Sequence, residues 1–328
     1  MTPAELSRTV VRAVRSAVDE GVLAVAVPDD VKVERPRPGG GGDYASAVAL
    51  KLAASSGLAP RAVAEALRGR LTGAPGVARV DITGPGFLNF TLDAGPAAHD
   101  ELVRRVLALG PRYGYGDSLS GQHTSFAPVD EPRALAVTSV VVELLRSQGA
   151  TAEITPYGNE RLHVLPDPEI AHLAGPHAAR WAYLRAAAHD RPAPAAELLA
   201  QRDSNPYFRV RYAYTRTRAL TRNAHALGIA ESAPGDPGDP DTAAPLLTLL
   251  TDHPDVLLRA ARLAAPDRVA RQLEGIADAV LDFQHTVLPL GDEKPLAAHR
   301  ARLALAEAAG AVLAGGLSLF GIDAPEFL

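Results

Sequence analysis

The stretch NPYFRVRYAYTRTRALTRN, residues 205–223, gathers the side chains best suited to hold an anion. At the helical period Arg211, Arg218 and Arg222 fall at i, i+7 and i+11 on one face, with Arg209 and Arg216 on a neighbouring one. Tyr207, Tyr212 and Tyr214 interleave with them, and guanidinium groups among aromatic rings suit phosphate contact combined with base stacking. A solvated arginine face edged by tyrosines has the same periodicity, so the pattern alone supports either reading.

A second stretch, SFAPVDEPRALAVTSVVV at 125–142, reads as strand, turn and helix, the arrangement in which nucleotide-binding enzymes hold phosphate. Such a turn needs glycine amides or His and Lys side chains that reach the anion. This one offers Pro128, Asp130, Glu131, Pro132 and Arg133. Two carboxylates repel a triphosphate that has no metal beside it, and the prolines remove amide donors. The slot is expected to be chemically empty.

Other constellations fall short. Four glycines at 39–42 precede a predicted helix, but no Lys-Ser/Thr pair follows and Asp43 puts a negative charge at the mouth, so a plain turn is expected. His163, His172, His177 and His189 lack the i, i+4 pairing with an acid that a metal site on a helix uses. There is no G-x-S-x-G elbow and no S-x-x-K set. The absence of cysteine excludes disulfides, thiolate ligands and thiol nucleophiles. No catalytic residue, metal or cofactor is expected.

Composition narrows the class further. A hydrophobic fraction of 47% in 328 residues excludes general disorder and allows two or three domains. The net charge of -5 provides no global basic field, so any nucleic-acid contact must be local. Lys32, Lys51 and Lys294 are the only lysines among 33 basic residues, an arginine bias that, with abundant alanine, points to a GC-rich genome. The first 25 residues carry charges within their apolar pattern and read as an amphipathic helix. No uncharged apolar run approaches the roughly 20 residues that span a bilayer, so a cytoplasmic protein without a membrane partner is expected.

These residues need elements to position them. Leu6, Val10, Val14 and Val18 mark an opening helix. A strand-like VKVERPRP follows, then the glycine turn, and Asp43 is expected to cap a helix YASAVALKLAASSG. A helix from about Pro60 to Leu71 precedes two strands, VARVDIT and FLNFTL, that flank Gly84-Pro85-Gly86. Helix 96–110, a strand after Gln122, a helix from Pro132, strand-like AEITPY and a helix with Trp181 and Tyr183 come next. Beyond Asn205 the pattern is purely helical, broken at 232–241 and 289–295.

The two ends of this pattern resemble arginyl-tRNA synthetases. VERPRPGGGGDYASAVALKLA with TGPGFLNFTL resembles the additional N-terminal domain of that family, which grips the tRNA elbow. DSNPYFRVRYAYTRTRAL, DHPDVLLRAARLAAPDRVARQL and ARLALAEAAGAVLAGGLSLFGIDAPEFL resemble its helical anticodon-binding domain. In the middle, PVDEPRALAV stands where the first catalytic motif would carry its histidines, and most of the catalytic fold has no counterpart. The resemblance implies an α+β N-terminal domain at 1–110, a small α/β remnant of a nucleotide-binding fold at 111–200, and an all-α anticodon-binding helical bundle of the DALR type at 201–328.

By position in the family motifs, Phe87 and Asn89 are implied as elbow contacts, while Ala47 replaces a family asparagine. Tyr207, Arg209, Arg211, Tyr212, Arg216, Arg218 and Arg222 on the anticodon-domain helix, with Phe327 and Leu328 at the far end, are implied as further tRNA contacts. Gln284 or a neighbour stands where the family keeps a tyrosine. The implied function is tRNA binding, arginine tRNA first, with no arginine activation and no cofactor. The rival expectations are a protein-binding module that meets a synthetase or another protein, and an enzyme that uses aminoacyl-tRNA.

Overall fold

The computed structural model describes the chain apart from residues 37–40, 94, 95, 168, 230, 239, 295 and 328. It divides into two compact units, Met1–Ala98 and His99–Leu328.

The first unit is α+β. Helix α1 (Pro3–Asp19) opens with a capping box, in which Glu5 N donates to Thr2 Oγ1 at 3.3 Å and Thr2 N donates to Glu5 Oε2 at 2.8 Å. Leu6, Val10 and Val14 are fully buried on its inner face. Strand β1 (Tyr44–Ser46) leads into α2 (Val48–Ser56) and α3 (Pro60–Leu71), and β2 (Val77–Thr83) and β3 (Phe87–Leu92) complete an antiparallel sheet of order β1-β3-β2. The β2–β3 turn depends on Gly86 at φ +148°, where a Cβ would sit 2.8 Å from the Pro60 carbonyl oxygen.

Two local expectations change here. Asp43 does not cap a helix: residues 44–46 pair with Leu88–Phe90, α2 starts only after Ala47, and the Asp43 carboxylate accepts from Leu92 N at 2.8 Å. Ladder formation with a strand more than forty positions away outweighs a local cap signal. In VKVERPRP, Glu34 makes a single bridge to Ala45, and residues 37 and 38 lie outside the described residues. Gly39 and Gly40 of the glycine run also lie outside them, while Gly42 takes φ +83° so that Asp43 N can reach the Phe90 carbonyl at 2.7 Å.

The second unit begins with α4 (Pro96–Leu109), which starts just before the division, and its described residues form a parallel strand pair and a helical bundle. Strand β4 (His123–Phe126), helix α5 (Pro132–Ser147) and parallel strand β5 (Thr151–Ile154) form the small α/β element. Short helices α6 (Ile170–Ala174), α7 (Pro176–Arg185) and α8 (Ala195–Leu199) follow. The bundle comprises α9 (Pro206–Ala226), α10 (Pro240–Arg262), α11 (Asp267–Phe283) and α12 (Ala297–Leu319).

One apolar core joins Val103, Phe126, Val140, Trp181, Leu220, Leu273 and Leu313, so the α/β element and the bundle share their packing. By length and composition α12 could cross a bilayer, but 72% of its apolar window is buried inside the bundle, the behaviour of a central core helix.

Candidate nucleic-acid interface

The basic-aromatic stretch is the helix α9, fixed at its start by Asn205. The Asn205 Oδ1 accepts from Tyr207 N at 3.0 Å, its Nδ2 donates to the Leu198 and Ala200 carbonyls at 2.8 Å each, and Pro206 occupies the first turn. Val210, Ala213, Thr217, Leu220 and Ala224 face the core. Gly310 of α12 lets the two helices approach closely, since a Cβ there would lie 2.5 Å from Thr217 Oγ1.

The arginines on the outer side differ in what already holds them. Arg209 meets the Asp278 carboxylate at 3.0 Å and donates to the Asp203 carbonyl at 2.9 Å. Burial raises the pKa of Asp278 and the neighbouring acids Glu274 and Asp282 push the same way, against the lowering influence of Arg209. Arg216 Nε donates to Gln284 Oε1 at 2.7 Å, a neutral partner. Arg218 lies 3.4 Å from the Glu326 carboxylate, and the Arg222 guanidinium carbon sits 4.5 Å from the Phe327 ring centroid. Arg211 lies 5.3 Å over the Tyr207 ring, and its Nε is buried without an acceptor among the described residues.

The aromatic residues divide in the same way. Tyr207 is buried against Trp181, with ring centroids 6.0 Å apart, and supports the helix from inside. Tyr212 is half-buried and stacks on Phe208 at 5.6 Å with only 9° between the planes. Phe208 has no place in the charge pattern; its i, i+4 relation to Tyr212 is the signal by which sequence reasoning could have found it. Phe327 is 70% exposed, and Leu328 lies outside the described residues. The structure therefore brings Arg218 and Arg222 together with residues 326–327, more than a hundred positions away.

In the first unit Phe87 and Asn89 share one face of β3. Phe87 is 40% exposed, whereas Asn89 is buried and donates from Nδ2 to Thr83 Oγ1 at 2.7 Å. Phe87 is the accessible member of the pair.

The turn after β4 is filled by its own side chains. The Glu131 carboxylate caps α5, accepting from Ala134 N at 2.6 Å and from Asp167 N at 3.1 Å, so the helix N-terminus carries an internal anion. Arg133 is fully buried. Its guanidinium donates to the Leu165 and Asp190 carbonyls at 2.8 Å, to that of Ala187 at 2.8 Å and to that of Ala186 at 3.3 Å. Burial pulls its pKa below the ordinary arginine value, opposed by Glu131, Asp167 and Asp190. A cavity of about 340 Å³ along the β4–β5 pair is lined wholly by polar residues, including His123, Ser125, Glu153 and Asn159. Sheets of complete doubly wound folds bury both faces under apolar side chains. Among the described residues, no group of three or more His, Asp or Glu is placed to hold a metal ion.

Comparison with known proteins matches this geometry at both ends. Residues 5–92 match the family model described as arginyl tRNA synthetase N terminal domain, and residues 210–328 match the DALR anticodon binding domain. The arginine--tRNA ligase of Renibacterium salmoninarum is 43% identical over 173 residues, covering 49% of this chain and 31% of the relative. That of Frankia alni is 54% identical over 115 residues, covering 35% and 20%. The chain thus spans about a third or less of the length of these curated relatives. The solved arginyl-tRNA synthetase of Thermus thermophilus shares the fold with a TM-score of 0.67 at 14% identity, covering 100% of each chain. One chain therefore matches, at its two ends, the models of an arginyl tRNA synthetase N terminal domain and of a DALR anticodon binding domain.

Proposed function

We propose that the chain binds tRNA, arginine tRNA first, through its two matched domains and does not activate arginine. The observation that carries the binding half is the α9 surface of the DALR domain, where Arg211, Arg216, the Phe208–Tyr212 stack and the exposed Phe327 lie on the outer side of one helix and the segment against it. Phosphate contact and base stacking need those two kinds of group side by side.

The non-catalytic half is supported by the turn after β4, where Glu131 and Arg133 occupy the places from which a phosphate-binding loop would work. The polar lining along the β4–β5 pair supports it too, because this surface is built for solvent and not for a covering layer. A second reading, in which the bundle binds a protein, draws support from Arg209 and Arg218, whose charges are already met by Asp278 and Glu326.

ATP–pyrophosphate exchange in the presence of arginine tests the non-catalytic half. The expected rate equals that of a protein-free control with and without added tRNA. Arginine-dependent exchange above that control would refute it.

A further inference from the structure

The segment after α12 is strapped to the bundle at successive points. Phe320 is fully buried against Trp181, with centroids 6.0 Å apart, and its carbonyl accepts from Arg180 Nε. Gly321 turns the chain at φ +62°, where a side chain would meet the Arg180 guanidinium at 3.1 Å. Asp323 then lies 3.7 Å from His177 Nε2, Glu326 lies 3.4 Å from Arg218, and the Phe327 ring lies beneath Arg222. Despite that contact, Phe327 stays 70% exposed.

From this geometry we infer that Arg218 and Arg222 are positioning residues: they hold residues 326–327 against α9 so that Phe327 presents an open ring face to a nucleobase, and they do not contact phosphate. The inference rests on the reading that α9 binds tRNA. A planar guanidinium over an aromatic ring fixes the tilt of the ring and lowers the ordering cost of stacking a base on it. A guanidinium already paired with a carboxylate adds little to the charge that displaces counterions from RNA. Among the described residues no carboxylate is shown paired with Arg211, whose guanidinium lies over the Tyr207 ring with its Nε unmet, whereas Arg218 is engaged by Glu326 and Arg222 by the Phe327 ring. The three arginines that the sequence places on one face, Arg211, Arg218 and Arg222, therefore separate into one phosphate-facing and two segment-holding groups.

The test has one arm without RNA and one with it. Amide hydrogen exchange at residues 326 and 327 of the full chain is expected to quicken about tenfold in Arg218→Ala and Arg222→Ala and to stay unchanged in Arg211→Ala. Unchanged exchange in all three would overturn the holding contact. In tRNA binding, Phe327→Ala, Arg222→Ala and the charge-preserving Arg222→Lys are each expected to weaken affinity about tenfold. The salt dependence should not change, and the Arg222→Ala/Phe327→Ala double variant should be no weaker than either single one. Arg211→Ala instead should reduce the slope of log Kd against log salt by about one.

A slope reduced by Arg222→Ala, restored by Arg222→Lys and additive with Phe327→Ala would make Arg222 a phosphate contact and overturn the inference. If the unaltered chain binds no tRNA, the reading of α9 fails and the nucleobase with it, while the exchange arm still decides by itself whether Arg218 and Arg222 hold the segment.

Discussion

Arg133→Ala is expected to destabilise the second unit by about 3–5 kcal/mol, read as a fall in Tm on the order of 10 °C. The residue is fully buried, and its guanidinium collects four backbone carbonyls from residues 165 and 186–190. Removing it leaves those acceptors with fewer donors in a site that water does not easily reach, and a buried group left unmade costs more than a made one contributes. The length of chain held is what makes the effect large, since the described residues of the 165–190 region form only the short helices α6 and α7.

Arg133→Lys should recover only part of the loss, because an ammonium on a flexible stem cannot satisfy four converging carbonyls in the way a planar fork can. Unchanged melting of Arg133→Ala would show that the buried guanidinium is not what secures this segment. The prediction bears on function as well: a cation committed to holding backbone is not available to a triphosphate.

The second large effect concerns acid. His253 on α10 is buried against Tyr113, with ring centroids 6.1 Å apart and nearly parallel planes, and its Nδ1 has no partner among the described residues. Burial lowers its pKa from 6.5 to about 4. The unfolded chain therefore takes up this proton near pH 6.5 and the folded chain only near pH 4, so stability is lost as pH falls through that window.

The loss should reach about 2 kcal/mol at pH 5 and about 3 kcal/mol at pH 4. Urea unfolding from pH 7 to pH 4 of the natural chain and of His253→Leu isolates the effect, because shared carboxylate contributions cancel in the difference. The gap between the two should shift by that amount in favour of the variant as pH falls. A gap independent of pH would mean that His253 keeps an ordinary pKa.

How far the sequence revealed this molecule depends on how local each signal is. Helix α3 begins at Pro60 and strands β2 and β3 flank Gly84-Pro85-Gly86, all readable from short windows because proline, glycine and alternation act within a few residues. Asp43 misled for the opposite reason: its cap signal is local, but Tyr44–Ser46 belong to a ladder with β3 that no short window contains.

The α9 pattern was legible as chemistry, since helical spacing alone places the arginines. Which of them are already engaged was not, because Asp278, Gln284 and Glu326 come from elements 68 to 108 positions away. Tyr207 and Asn89 show a further limit. Residue type marks both as capable of contact, while packing buries one against Trp181 and commits the other to Thr83. Arg133 looked like the one cation in a turn of carboxylates and prolines, and the carbonyls that give it a structural task converge only in three dimensions.

The central claim, that this chain recognises tRNA, is tested most directly by capturing the intact protein from cell extract at two salt concentrations and sequencing the RNA that comes with it. Enrichment of arginine tRNAs at low salt, falling steeply at high salt, is the predicted result. Absence of any tRNA at low salt would contradict it and return the arginines of α9 to a solvated face or a protein-binding one.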